Sequence, residues 1–232
     1  MRFSENWINI DNDFKIRMSR NPVLRYAAKF LVATRLVKID YNFLMPKVPP
    51  NYLLLNMAKQ NLPFDTSSIK YCFTSHFIEH VPRVRAEEIA RETHRVLKPG
   101  GVLRVVTPDL EVYTKNYLLS KKGDKKAREF WSKTYTECKT PAEKINALFA
   151  RPANPEERYL GFKNPVSRYL KQSLASDLNH QWIYDFDDLR ALLAGVGFRN
   201  IKRWQAQKGT VPDIGQLEIA GEESSIYLEA EK

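Results

Sequence analysis

Between Leu62 and Glu111 the apolar positions switch twice between strand and helix spacing. Ile69 to Phe73 is a short apolar run bounded by Asp65-Thr66-Ser67-Ser68 and Thr74-Ser75-His76. Turn residues flanking so short a run predict a buried strand. From Glu88 to Leu97, residues Ile89, Thr93, Val96 and Leu97 fall on one stripe while Arg91, Glu92 and Arg95 face away, the pattern of a surface helix on a sheet. Pro99-Gly100-Gly101 is expected to stop that helix. Val102 to Val106 follows as a second strand, ending in Thr107-Pro108-Asp109 and an acidic loop. Strands joined by a crossover helix pair in parallel, and such sheets bind ligands at the carboxyl ends of their strands. Those ends are Thr74-Ser75-His76 and Thr107-Pro108-Asp109.

The flanks carry weaker patterns. Asn21 to Lys38 reads as a basic amphipathic helix with Val23, Ala27, Phe30 and Val37 on one stripe, expected to pack on the flank of a sheet, with a membrane-surface role as the alternative. Tyr41 to Tyr52, with three prolines, reads as a loop leading into Leu53-Leu54-Leu55, the expected third strand. Near the C-terminus Asp185 is placed to cap a helix carrying Phe186, Leu189, Leu192 and Leu193 on one face. Gly195 to Gly197 breaks it, Phe198 to Trp204 follows as a strand, and Ser225 to Ala230 reads as a last edge strand.

The blocks LPFDTSSIKYCFTSHFIEHV and RETHRVLKPGGVLRVVTPDLE, in that order and closely spaced, resemble the fourth and fifth strands and intervening helix of class I S-adenosylmethionine-dependent methyltransferases of the type 11 family. Trp7-Ile8-Asn9-Ile10-Asp11 looks like that family's second strand, and HQWIYDFDDLRALLAGVGFRNIKRW like its late helix and sixth strand. The resemblance implies an α/β fold with a Rossmann-like doubly wound sheet, mostly parallel with an antiparallel last strand. It covers most of residues 7 to 110 and 180 to 231 and implies one methyltransferase-like domain over 1–232. Residues 111–178 are then a basic, mainly helical insertion, with helices near 125–136 and 141–149, over the active-site face.

One departure matters. In this family a first strand and a Gly-x-Gly-type loop precede the segment matched by Trp7, and this chain has no glycine before Gly100. Only glycine lets that backbone approach a cofactor so closely. The apparently missing strand is the central one, so its loss leaves the inner edges of two strands unpaired. Three accounts follow. Met1 is an internal methionine of a longer protein, the account its position favours; cofactor binding has been lost; or a segment such as Phe30-Leu31-Val32 fills the slot. The last conflicts with the helical spacing of residues 23 to 37.

The resemblance also assigns residues. It places Asp11 on the cofactor's ribose, where a carboxylate accepts from two adjacent hydroxyls. It sets Asn56, Met57 and Ala58 beside the adenine, although the family often has an aspartate near Asn56. Ser75 and His76 fall near the methionine part. Methyl transfer is a direct displacement for which S-adenosyl-L-methionine supplies the activation, so the protein aligns the reactants and, for a hydroxyl acceptor, removes a proton. His180, with His76 behind it, is the candidate base because imidazole titrates near neutrality. His80 and Glu79 read as structural, Glu79 as a buried hydrogen-bonding acid, and His94 as exposed.

Composition narrows the alternatives. The 232 residues suffice for a sizeable core. No apolar run reaches membrane-spanning length and no signal peptide is read at the start. Cys72 and Cys138 are too isolated for a disulfide framework, and four histidines without Cys-x-x-Cys argue against structural zinc, so no metal is assigned. A reducing, cytoplasmic setting is expected. The net charge of +10 is uneven: residues 1–60 hold 10 basic and 4 acidic side chains and residues 111–178 hold 14 and 8. Such bias suits an anionic partner, with a merely solubilising surface as the alternative. The sequence thus reads as an S-adenosylmethionine-dependent methyltransferase for a small-molecule or glycan acceptor, in cell-surface polysaccharide synthesis by analogy, with peripheral membrane contact left open. The runner-up is a catalytically silent binding module. An RNA enzyme is not expected, since an Asn-Pro-Pro-Tyr-type motif is absent.

Overall fold

A parallel strand pair and a larger mixed sheet organise the chain. The computed structural model describes residues 7–11, 14–34, 41–44, 47–48, 50–57, 59–134, 138–149, 179–218 and 223–232. These fall into two compact units, one of the described residues up to Gln60 and one of those from Asn61 onward.

In the first unit β1 (Asn9–Asp11) pairs in parallel with β2 (Tyr52–Leu54), with Asp11 opposite Leu54. The connection holds α1 (Phe14–Arg20), α2 (Pro22–Ala33) and α3 (Tyr41–Leu44). Asn21 starts α2 by accepting from the amides of Val23 and Leu24, and Pro22 sits where its missing N–H costs nothing. The helical spacing of this segment is therefore realised, and Phe30-Leu31-Val32 is not a strand. Its expected apolar stripe, however, does not pack on a sheet. Val23 is 73% and Phe30 61% exposed, and the side that packs is Ala28 and Val32 against Met18 and Tyr41. Residues 35–38 lie outside the described residues.

In the second unit β3 (Ile69–Ser75), β4 (Leu97–Pro108), β5 (Arg199–Arg203) and β6 (Ser225–Glu231) form one sheet in the order β3-β4-β6-β5. β3 and β4 are parallel and β6 is antiparallel to both its neighbours. The α/β, Rossmann-like class and the antiparallel last strand read from the sequence hold. Ser225 to Ala230 is not an edge strand: it lies between β4 and β5, and every residue of it is buried. Both faces of β6 are covered, so the polar positions that suggested an edge are paired inside.

Helix α4 (Arg83–Val96) joins β3 to β4 and buries Ala86, Ile89, Ala90, Thr93 and Val96, the expected stripe extended one turn N-terminally. It stops earlier than Pro99 suggests, because Leu97 is already extended and opens β4; a residue two before the proline has left the α region, and Lys98 is barred from it by Pro99. After β4 the expected acidic loop is a helix, α5 (Leu110–Lys121), which Asp109 caps through the amide of Glu111. α6 (Lys125–Lys133) and α7 (Pro141–Phe149) match the expected helices, and residues 150–178 lie outside the described residues. α8 (Phe186–Val196) is capped by Asp185 and ends in left-handed Gly197 at φ 115°, which only glycine adopts without cost. A short α9 (Ile214–Leu217) precedes β6.

His94 is not on an exposed face. Its ring meets the edge of Phe198 at 5.0 Å, and burial lowers its pKa, with Lys232 adding to the effect. No described helix is long and apolar enough to cross a membrane.

Candidate functional site

The parallel pairing of β3 and β4 brings their carboxyl ends together, with Ser75 opposite Val106. The chain then reverses: His76 takes a left-handed conformation at φ 51° and donates its amide to Val106 O at 2.9 Å. That turn leads into a 3-10 turn at Ile78–His80 that drives Glu79 beneath the surface. Glu79 is 0% exposed. Its Oε2 accepts from Thr107 Oγ1 at 3.0 Å, and its Oε1 lies 3.2 Å from His76 Nδ1. With the carboxylate accepting, His76 carries its proton on Nδ1.

The segment before α8 closes over these ends. The amides of Gln181 and Trp182 donate to Glu79 O at 2.7 and 3.2 Å, and His80 Nδ1 meets Asn179 O at 3.2 Å. His180 is half-buried, with its ring 4.8 Å from that of His80 and its Nδ1 hydrogen-bonded to Leu148 O on α7. Burial lowers the His180 pKa, while the Leu148 carbonyl and Glu79 oppose that shift and His80 and His76 reinforce it. Tyr184 continues the segment by bridging to Asp109. Burial pushes its phenol up to about 12 against the nearby Arg83. Arg83 also binds Asp188 at 2.8 Å and stacks over Trp182, fixing the start of α8.

Ser75, His76 and His180 therefore lie in one cluster at the carboxyl ends of β3 and β4. Thr107 joins them, but Asp109 does not act as a ligand group: it caps α5 and pairs with Arg203. Burial raises its pKa and Arg203 counters that. Asp11 and the Asn56-Met57 turn lie together in the first unit, at the carboxyl ends of the neighbouring parallel strands β1 and β2. Leu55 N donates to Asp11 O at 3.0 Å, closing the two ends onto each other. Ala58 lies outside the described residues. An acid at the end of a parallel strand and a turn beside it suit a ribose and an adenine.

Glu79 is the buried hydrogen-bonding acid that the sequence suggests, and His80 meets the backbone of the returning segment. Glu79 is the hub to which His76, Thr107 and the backbone of residues 181–182 attach, and His80 faces His180.

A family model described as a methyltransferase domain matches residues 23–105. No curated protein sequence matches the chain. Among solved structures, a methyltransferase from Thermotoga maritima is 16% identical over 78% of this chain and 63% of its own, with a TM-score of 0.38. One from Archaeoglobus fulgidus is 12% identical over 88% of this chain and 81% of its own, at 0.42. One from Mesorhizobium loti is 16% identical over 78% and 68%, at 0.37. The chain thus spans less than two thirds of the Thermotoga protein, at 63% of its length.

Proposed function

We propose that this chain, which matches a methyltransferase-domain family model over residues 23–105, is a class I S-adenosylmethionine-dependent methyltransferase acting on a small-molecule or sugar hydroxyl. The observation that carries the reading is that family match, because it takes in β3, α4 and β4 as far as Val105, including Ser75, His76 and the Glu79 hub at the carboxyl end of β3. S-adenosyl-L-methionine, when bound, supplies a methyl group already activated on a sulfonium. Asp11 would hold its ribose and Asn56 and Met57 its adenine. Ser75 and His76 would hold the methionine part.

His180 is the proton acceptor in this reading. The Leu148 carbonyl keeps the ring proton on Nδ1, so Nε2 presents its lone pair to an acceptor hydroxyl. The 14 basic against 8 acidic side chains of residues 111–178 suit an anionic acceptor. A sugar of cell-surface polysaccharide synthesis is such an acceptor, by analogy alone. Cys72, a free thiol pushed up to about 12 by burial, and the buried Cys138 suit a reducing, cytoplasmic setting. The runner-up, a module that binds without catalysing, is favoured by the absence of glycine before Gly100.

Calorimetric titration of S-adenosylhomocysteine into the 232-residue chain separates the two. Micromolar binding, about −8 kcal/mol, is expected of the enzyme. A folded chain that takes up none supports the silent module, unless a form extended upstream of Met1 binds, which restores the enzyme. In an active preparation His180→Ala should keep cofactor affinity and lower kcat about a hundredfold, the lower end of what a positioned base supplies. Unchanged turnover would remove His180 from the chemistry.

A further inference from the structure

We propose that Glu79, His80 and His180 form a binding site for a divalent transition-metal ion, with zinc the best fit. One ligand nitrogen from each ring and one Glu79 carboxylate oxygen all lie within 4.8 Å of one another. Tetrahedral zinc with bonds of about 2.1 Å spaces its ligands about 3.4 Å apart. The trio therefore closes on an ion by small rotations of side chains already gathered together.

The surroundings resemble those of ligating histidines. A metal-bound histidine commonly donates its other ring N–H to a carbonyl or carboxylate, which fixes its tautomer and orientation. Here both rings have such a partner: His80 Nδ1 meets Asn179 O at 3.2 Å, and His180 Nδ1 is bonded to Leu148 O. Each ring then carries its proton on Nδ1 and keeps a lone pair on Nε2, the neutral form that a metal takes. Glu79 is oriented by Thr107 and His76, so its carboxylate has outer partners as well. The backbone is braced too, because Gln181 N and Trp182 N donate to Glu79 O and tie the two halves of the site together.

The donor set narrows the ion. Two imidazoles and one carboxylate favour zinc, cobalt or nickel, whereas magnesium and calcium prefer all-oxygen shells. Three protein ligands leave a fourth position open, unlike a closed structural zinc site. That difference explains why a search for Cys-x-x-Cys spacing does not find the site. Its ligands come from a 3-10 turn and from His180, 100 residues after His80. A cation on His180 occupies the lone pair that proton transfer needs, so ligand and base are alternative states of one side chain.

The test needs no cofactor and no acceptor. The full chain is stripped with a chelator, desalted and titrated with zinc chloride by calorimetry, and in parallel with cobalt(II) while visible absorption is recorded. One equivalent of zinc bound more tightly than micromolar is expected, together with the absorption bands of low-symmetry, four-coordinate cobalt. His80→Ala and His180→Ala should each weaken zinc binding at least about a hundredfold, as loss of a first ligand exceeds the 10- to 100-fold effect of losing an outer partner. Both side chains are partly exposed, unlike the fully buried Glu79, so alanine should be tolerated there, and circular dichroism checks that the variants fold. No zinc uptake by the folded wild-type chain overturns the proposal. So does binding that survives unchanged in both histidine variants. Failure of S-adenosylhomocysteine to bind leaves the zinc result standing, and absence of zinc leaves the methyltransferase reading standing.

Discussion

Arg104→Leu is expected to destabilise the protein by about 3–5 kcal/mol, the cost of leaving buried charges without their partner. Arg104 is 0% exposed in the middle of β4. Its Nε donates to Glu218 Oε1 at 2.7 Å, its Nη2 to Gln205 O at 3.2 Å, and its Nη1 lies 3.7 Å from Glu229 Oε1. Glu229 stands directly opposite on β6 and accepts from the amide and hydroxyl of Thr210 and from Val211 N. Glu218 likewise accepts from Gln207 N. One guanidinium thus fastens the segment between β5 and β6 to the centre of the sheet. Leucine would leave two buried carboxylates facing an apolar side chain. Stabilities of whole domains are about 5–15 kcal/mol, so the loss should move the urea midpoint far down. If Arg104→Leu shifts stability by no more than about 0.5 kcal/mol, as an ordinary surface change does, the network does not hold the segment.

Nothing in the pattern around Arg104 announces this. It interrupts the run Val102 to Val106, but its partners lie more than a hundred residues further on, and no local period links them. The legible parts of the chain are those whose physics is local. Ile69 to Phe73 is bounded by its own turn residues, α4 shows its buried stripe, and Asp185 and Gly197 cap α8 from either end. The parts misread are settled by neighbours distant in sequence. Ser225 to Glu231 is central because β5 pairs with its far side, and His94 is covered because Phe198 arrives from after α8. α2 shows the converse, since its stripe is helical as read but does not lie where an amphipathic pattern would put it. The site divides in the same way. Ser75 and His76 follow from their position at a strand end. Glu79 is legible as a buried acid, whereas the facing of His80 and His180 emerges only when residues 179–182 are folded back onto the turn.

The same long-range logic makes Trp131→Ala the second large effect. Trp131 is 2% exposed and packs with Tyr113, Leu148 and Ile183, contributed by α5, α7 and the segment before α8. Lys144 reinforces the joint by donating to the carbonyls of Trp131 and Thr134, so α6 and α7 are tied by main chain as well as by side chains. Removing the indole leaves a cavity, and Trp→Ala changes in cores cost about 3–5 kcal/mol. The consequence should reach the cluster, because Leu148 is both a member of this core and the residue whose carbonyl holds His180. Trp131→Ala should therefore lower the thermal midpoint and also shift the His180 ring resonances in an imidazole-selective NMR spectrum. The His94 resonances, on the far side of α4 beside Phe198, should stay in place. A variant that unfolds its helices early while β3 to β6 and His180 are unchanged would mean that α5–α7 are an appendage. Loss of both together would mean that α5–α7 are part of what positions the imidazole.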